Sequence, residues 1–383
     1  MIRVTMLTDT FFPNMGGAEV AVAELSNALH DLGVYVGLIT PSSAKLHTTD
    51  KRTPFAFRFP IKYIARRKLA FLSMTKTLLR SKMKPDIIHA HFLYPSGFAA
   101  LISKPFLNKP CIVTMHGKDI QVDQTIGYGI RLDWRLDLVI KLVLDKVDAL
   151  VAPSRLVATE AIKAGAAPSK IHIIPNGVDI SRFNPKVSGE VIRKRFGIKR
   201  KERIVLTISR FHPKKGYAYL VRAIPLIIKE NPETKFMFCG RGPDEQNIAN
   251  SVRSLGLSQN VIFAGFINER EKPMYYAAAD IFVVPSLVEN APLTILEALA
   301  SGKPVVASRT GNITELIRNE LSGKLVDPKD TTRLARAIIE YLENPILREV
   351  TGIKGREDVV RSYSWNSIAK KTLNLYENLL SFS

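Results

Sequence analysis

The chain has 383 residues, of which 46% are hydrophobic and 23% charged, with no low-complexity tract. That excludes a disordered or fibrous protein and, at roughly 100 to 200 residues per domain, predicts two domains. A formal net charge of +20 points to anionic ligands or surfaces, while the two cysteines, Cys111 and Cys239, lie in opposite halves inside apolar runs and exclude a disulfide framework or thiolate metal site.

The first element is a short strand, Ile2 to Leu7, within M-I-R-V-T-M-L-T-D. Arg3, Thr5 and Thr8 break its apolar run, so it lacks the core of a secretory signal. No uncharged apolar run approaches the roughly 18 residues of a membrane span. The expectation is a cytoplasmic protein, soluble or peripheral on the inner face of the plasma membrane. From Gly17 to Leu32, Val22, Leu25, Leu29 and Leu32 recur at helical spacing before Gly33, a C-cap residue. Val34 to Ile39 is a second strand and completes a βαβ unit.

Between Lys45 and Lys84 twelve Lys or Arg stand against one acid, Asp50. Phe55, Phe57, Phe59, Tyr63 and Phe71 interleave with those cations. Aromatics among cations suit an anionic membrane surface, with a solvated basic face as the plain alternative. No RNA-binding signature accompanies them.

Three strands follow: D-I-I-H-A-H (Asp86 to His91), C-I-V-T-M-H (Cys111 to His116) and A-L-V-A-P-S (Ala149 to Ser154). Apolar runs ending in polar residues read as buried parallel strands, whose carboxyl ends border the ligand crevice of an open α/β sheet. His116 and Ser154 therefore occupy site-like positions. His89 and His91 alternate along one strand and share a side, so a metal shared with His116 is conceivable. No local acid cluster accompanies them, and none is expected.

A break at S-R-F-N-P-K-V-S-G, Ser181 to Gly189, carries turn formers and little periodicity. The alternation then restarts with R-I-V-L-T-I-S-R, a helix from about Tyr217, K-F-M-F-C-G, D-I-F-V-V-P-S and P-V-V-A-S. The predicted fold is α/β: two doubly wound Rossmann-like domains, 1–185 and 186–364. A last helix is predicted from about Asn366 to Leu380, with Ile368, Leu373, Tyr376 and Leu380 as its apolar side.

In E-N-A-P-L-T-I-L-E two carboxylates, Glu289 and Glu297, bracket a helix start in a basic protein. Pro292 suits the first helical position, leaving the amides of Leu293 and Thr294 free at the positive end of the helix, where a phosphate is attracted. Glu297 beside that end is able to accept from two vicinal hydroxyls, and Glu289 to meet a different polyol. The plain alternative is that Glu289 caps the helix and Glu297 pairs with a surface lysine. Arg210 follows a strand and Lys215 sits in the next turn, which places two cations at the same sheet edge. The G-x-G matches at Gly127 and Gly240 lack a third glycine, and the G-K pairs at Gly302 and Gly323 lack the earlier glycine of a P-loop, so ATP or NAD binding is unsupported.

These residues give the chain a resemblance to family 4 glycosyltransferases of the two-Rossmann (GT-B) type. It spans P-N-M-G-G-A-E, M-H-G-K-D, A-P-S, I-P-N-G-V-D, S-R-F-H-P-K-K-G, C-G-R-G-P, F-A-G-F-I, the E-x7-E, G-K-P-V-V-A-S and a late S-W, in order. The resemblance implies a retaining enzyme that moves a hexose from a UDP- or GDP-sugar to an acceptor hydroxyl in a cleft between the domains. By position, Glu297 would hold the ribose, Glu289 the hexose, and Arg210 and Lys215 the departing diphosphate. Gly16 and Gly17 would approach the phosphates and acceptor, Phe266 and Ile267 the base, and His116 the transferred sugar. Asp119 falls near the acceptor hydroxyl, with a loop-capping acid as its alternative. The segment 365–383 would cross back to the first domain. No two aspartates stand two apart as in metal-dependent relatives, so neither metal nor cofactor is expected. N-A-P-L follows Glu289 where many relatives carry glycine and an aromatic, a difference beside the hexose. With the basic stretch, the implied acceptor is a lipid or lipid-linked glycan. A sugar-nucleotide epimerase or phosphorylase on the same fold, or a non-catalytic membrane- or polyanion-binding protein, are the alternatives.

Overall fold

Apolar runs of three to eight residues become the strands of two parallel sheets in the computed structural model, which describes residues 1–12, 16–42, 57–65, 69–124 and 127–381. Much of the basic stretch, including Lys45, Asp50 and Phe55, lies outside the described residues, as do Pro13, Asn14 and Met15.

The first sheet contains β1 (Arg3–Thr8), β2 (Tyr35–Ser42), β3 (Ile61–Ala65), β4 (Ile87–His91), β5 (Cys111–Thr114), β6 (Ala149–Ala152) and β7 (Ile171–Ile173) in the order β3-β2-β1-β4-β5-β6-β7. The second contains β8 (Arg203–Ile208), β9 (Thr234–Cys239), β10 (Val261–Gly265), β11 (Ile281–Val284), β12 (Val305–Ser308) and β13 (Gly323–Val326) in the order β10-β9-β8-β11-β12-β13. All pairs are parallel; Val4, for instance, lies opposite both Val36 and Ile87. In each sheet the order reverses beside the first strand, between β1 and β4 and between β8 and β11. Loops leaving the carboxyl ends of those neighbours turn opposite ways and open a crevice.

The second core joins Val205, Phe236, Phe238 and Val283 to the helix Tyr217–Glu230, with Tyr217 edge-on to Phe211 and Phe238. In the first unit, Leu7, Ile88, Val113 and Leu150 pack among helices including Ala70–Leu79, Phe98–Leu107 and Trp134–Lys146. Both cysteines are buried and free.

Contacts divide the chain into Met1–Gly177 with Trp365–Ser383, and Val178–Ser364. The junction thus falls eight residues before the expected 185. The reason is local: Phe183 is buried edge-on to Tyr276, Arg182 donates to the Glu269 carbonyl (2.8 Å), and Arg356 donates to the Phe183 carbonyl (3.0 Å). The S-R-F-N-P segment is structure of the second unit and not a linker. Val178 and Ser364 form a parallel bridge, so this unit begins and ends at one place. The last helix, Trp365–Ser381, packs on the helix Gly17–Asp31 of the first unit. It buries Ile368, Leu375 and Tyr376, with Leu375 in the place expected of Leu373.

Candidate active site

Three loops from the carboxyl edge of the second sheet converge on Glu289. Arg210 lies just beyond β8, and Lys215 ends the single turn Pro213–Lys215. Gly216 follows at φ 71°, and a Cβ there would sit 1.9 Å from the Pro285 carbonyl oxygen. The Leu287 amide donates to the Lys214 carbonyl at 2.7 Å, fastening this loop to the one after β11. From the β12 side, Thr310 Oγ1 donates to the Leu287 carbonyl (3.0 Å), and Gly311, φ 54°, approaches so closely that a Cβ would stand 1.8 Å from the Glu289 carbonyl oxygen. Only glycine fits such approaches at positive φ.

Within this cradle Lys215 Nζ lies 2.5 Å from Glu289 Oε1, which also accepts from Ser286 Oγ at 2.8 Å. Glu289 is buried and Lys215 largely so. Arg210 is exposed and makes no ion pair among the described residues. One cation is therefore held against a carboxylate, and a second stands free at the same edge.

The helix after Glu289 spans Leu293–Ala300, with Pro292 as its N-cap (ψ 106°), one residue outside the expected first helical position. Its extended ψ keeps Pro292 from beginning the helix, and the first amides, Leu293 and Thr294, still precede any intrahelical bond. Glu297 is buried: its Oε1 accepts from Lys272 Nζ (2.9 Å) and its Oε2 from Tyr276 OH (2.7 Å). Lys272 also meets Glu269 Oε1 at 2.8 Å. Burial alone would lower the Lys272 pKa, but Glu297 and Glu269 outweigh it and raise the value. Burial, reinforced by Glu297, raises Tyr276. Glu297 thus does pair with a lysine, but with a buried one. Lys272, Tyr276 and Ser286 were not singled out from the sequence; the only signal was the i, i+4 spacing of Lys272 and Tyr276 on one face of a short helix, Lys272–Ala278. Phe266 and Ile267 follow β10, the ring of Phe266 exposed and Ile267 buried.

In the first unit Gly16 caps the helix that Gly17 begins, and Thr10 Oγ1 bonds to the carboxylate of Glu19 in its first turn. Asp9, at the end of β1, accepts from the Ser96 amide (3.1 Å) and hydroxyl, and burial pushes its pKa well up. His116 follows β5, its Nε2 3.2 Å from His91 Nδ1 and its ring 4.5 Å from that of Phe92. Burial lowers its pKa to about 4. Asp119 takes the loop-capping alternative: Oδ1 accepts from the His116 amide and Oδ2 from the Leu93 amide, both at 3.0 Å, and the residue is 1% exposed. A carboxylate so enclosed shapes the loop that carries His116. Burial raises its pKa to about 6, against the pull of those amides. Ser154 caps the helix Arg155–Lys163 through the Val157 amide (3.2 Å). His89 is taken up by Tyr376 OH (2.6 Å) and Thr114 Oγ1 (2.7 Å). Among the described residues no three His, Cys, Asp or Glu side chains gather as metal ligands do.

The family described as "Glycosyl transferases group 1" matches residues 188–358, and "Glycosyltransferase Family 4" matches residues 15–182. An uncharacterized glycosyltransferase of Methanocaldococcus jannaschii is 33% identical over 54% of this chain and 54% of its own. The alpha-monoglucosyldiacylglycerol synthase of Streptococcus pneumoniae is 28% identical over 89% of this chain and 78% of its own. Among solved structures, the sucrose-phosphate synthase of Thermosynechococcus elongatus superposes with a TM-score of 0.82 at 25% identity, covering 100% of both chains. With both halves matched in sequence and the whole length matched in fold, the chain belongs to glycosyltransferase family 4 and is a glycosyltransferase of the GT-B fold.

Proposed function

We propose that this glycosyltransferase moves a hexose from a UDP- or GDP-sugar to the hydroxyl of a lipid or lipid-linked glycan, with retention at the anomeric carbon and without a metal. The observation that carries this reading is the Lys215–Glu289 pair in the loop that leads into the helix Leu293–Ala300, with Arg210 exposed just beyond β8 at the same carboxyl edge of the sheet. As the bond from sugar to diphosphate breaks, its electron pair passes to a phosphate oxygen. Fixed cations and helix-end amides aimed at that oxygen lower the barrier because they need no reorganisation as the charge grows. Glu289 is the hexose contact. Lys215, bonded to it, is then shared between carboxylate and phosphate.

Glu297 is assigned to the ribose: each of its oxygens, though occupied by Lys272 or Tyr276, keeps a second lone pair for a hydroxyl. Phe266 and Ile267 are assigned to the base. In the first unit, His116 is assigned to the transferred sugar and Gly16 and Gly17 to phosphate and acceptor. Burial keeps His116 neutral at physiological pH, so it offers a hydrogen bond and no charge. The lipid acceptor is supported by the name of the Streptococcus pneumoniae relative and by the net charge of +20.

The test is the double variant Arg210→Ala, Lys215→Ala. Removing a single such donor typically costs roughly 10² to 10³ in turnover, so the pair is expected to abolish transfer while circular dichroism stays that of the parent; unchanged turnover would refute the assignment. A thermal-shift screen across UDP- and GDP-sugars identifies the donor.

A further inference from the structure

Three helices on one face of the first sheet, Ala70–Leu79, Phe98–Leu107 and Trp134–Lys146, pack side by side in that order. Their inner sides supply core: Met74 and Leu78, Ala99 and Ser103, Ile140 and Val143. The outer side of the last helix should be polar by that logic. Instead Trp134, Leu138 and Leu142 recur every four residues, opposite the core, at 67%, 57% and 45% exposure. On the first helix Leu69, Leu72 and Leu79 are likewise exposed. Both apolar rows are bordered by cations. Lys76, Arg80 and Arg135 are exposed and make no ion pair among the described residues, and the Arg135 guanidinium lies 5.4 Å from the Trp134 ring centroid. From Leu69 to Lys84, and from Phe98 to Lys109, there is no Asp or Glu at all.

We propose that this helical layer docks on an anionic lipid bilayer, with Trp134, Leu138 and Leu142 entering the headgroup boundary and Lys76, Arg80 and Arg135 meeting lipid phosphates. The inference deepens, and rests on, the reading of a lipid-borne acceptor. It moves the contact from the Lys45 to Lys84 stretch alone to a surface shared with a helix fifty residues further on. Charge selects the occupant. The first two helices of the layer carry cations and no acid, and on the third Asp133 caps the Arg135 amide, Asp137 is paired with Arg131 and Lys141, and Asp145 with Lys146. The charge left over on the layer is positive and complements a surface of uniform negative charge. Its leucines and tryptophan are exposed on the outward side of the helices, as interfacial helices present them.

The chain has two tryptophans, and the other, Trp365, is only 7% exposed, so the polarity-sensitive part of the emission belongs to Trp134. Phosphatidylglycerol vesicles added to the full-length protein are expected to shift the emission to the blue, and lipids brominated on the acyl chains to quench it. Phosphatidylcholine vesicles should do neither. Leu138→Ser with Leu142→Ser alters only the outer face and is expected to weaken partitioning roughly a hundredfold. Lys76→Ala with Arg80→Ala should weaken it roughly thirtyfold at low ionic strength and far less at 1 M salt. No shift with phosphatidylglycerol, or a dimer in light scattering that the leucine substitutions dissolve, would overturn the proposal, the second by giving the face to another copy of the chain. Thermal shift with UDP- and GDP-sugars on the same variants separates the two readings. Donor binding retained with docking lost upholds both. Docking without any donor response removes the proposed function and leaves the surface.

Discussion

Glu297 and Lys215 show how differently one charge reads in sequence and in space. Glu297 was legible as a carboxylate near a helix start, yet its partners Lys272 and Tyr276 were not, because a buried lysine carries no mark that separates it from a solvated one until the fold encloses it. Arg210, Lys215 and Glu289 were legible because their strand-end positions can be counted along the chain. Asp119 was legible as a position, with its role left open between an acceptor contact and a loop cap. Whether a loop acid faces ligand or amide depends on the Leu93 and His116 N–H groups that the turn aims at it. Its pKa of about 6 stands above the ordinary value of 3.8, so the folded state holds the proton more tightly than the unfolded state. The stability contributed is present below pH about 4 and is lost as pH rises through about 6. Asp119→Asn lacks this term. The margin by which the parent exceeds the variant should therefore widen from pH 7 to pH 4, on the order of 2 to 3 kcal/mol. Urea unfolding of both proteins at several pH values measures it, and a margin that narrows toward acid contradicts it.

At the scale of elements, the central strands were visible in the sequence and the peripheral ones were not. β1, β4, β5, β8 and β11 are buried along almost their whole length and read as mainly apolar runs. β3, I-K-Y-I-A, and β7, I-H-I, are edge strands whose partly exposed sides admit Lys62 and His172, so their pattern dissolves into the surrounding polarity. β13 ends the other sheet, and its Lys324 is instead buried, paired with Glu320 and Glu340, which the local sequence does not mark. The loops of the site were legible as motifs, but their glycines gain a physical reason only from the approaches they permit. Gly311→Ala would drive a methyl group into the Glu289 carbonyl. Displacing that loop by a fraction of an ångström is expected to lower kcat about a hundredfold, with donor binding weakened far less. Steady-state kinetics beside a thermal-shift titration distinguishes this from global unfolding, which would remove both signals together.

For the whole molecule, two domains and their α/β class were legible from length and alternation, but their boundary was not. A turn-rich segment marks a junction only if nothing folds onto it, and Phe183 packs against Tyr276. As expected, the second unit is one uninterrupted stretch, while the first is assembled from both chain ends. Residues 178–364 produced alone are therefore expected to unfold in a single cooperative transition and to keep the thermal shift given by the nucleotide sugar. Residues 1–177 alone lose Tyr376, the partner of His89, and are expected to be destabilised or insoluble. Calorimetry on the two fragments checks this; a molten 178–364 would contradict it.

The bridge between Val178 and Ser364 carries this one step further. Because the second unit leaves and rejoins its host through neighbouring backbones in parallel, it has the form of a cassette. A relative's equivalent stretch, spliced at those two positions, would inherit ready-made seams. On the proposed function, grafting the second unit exchanges donor preference and leaves the first unit as it was.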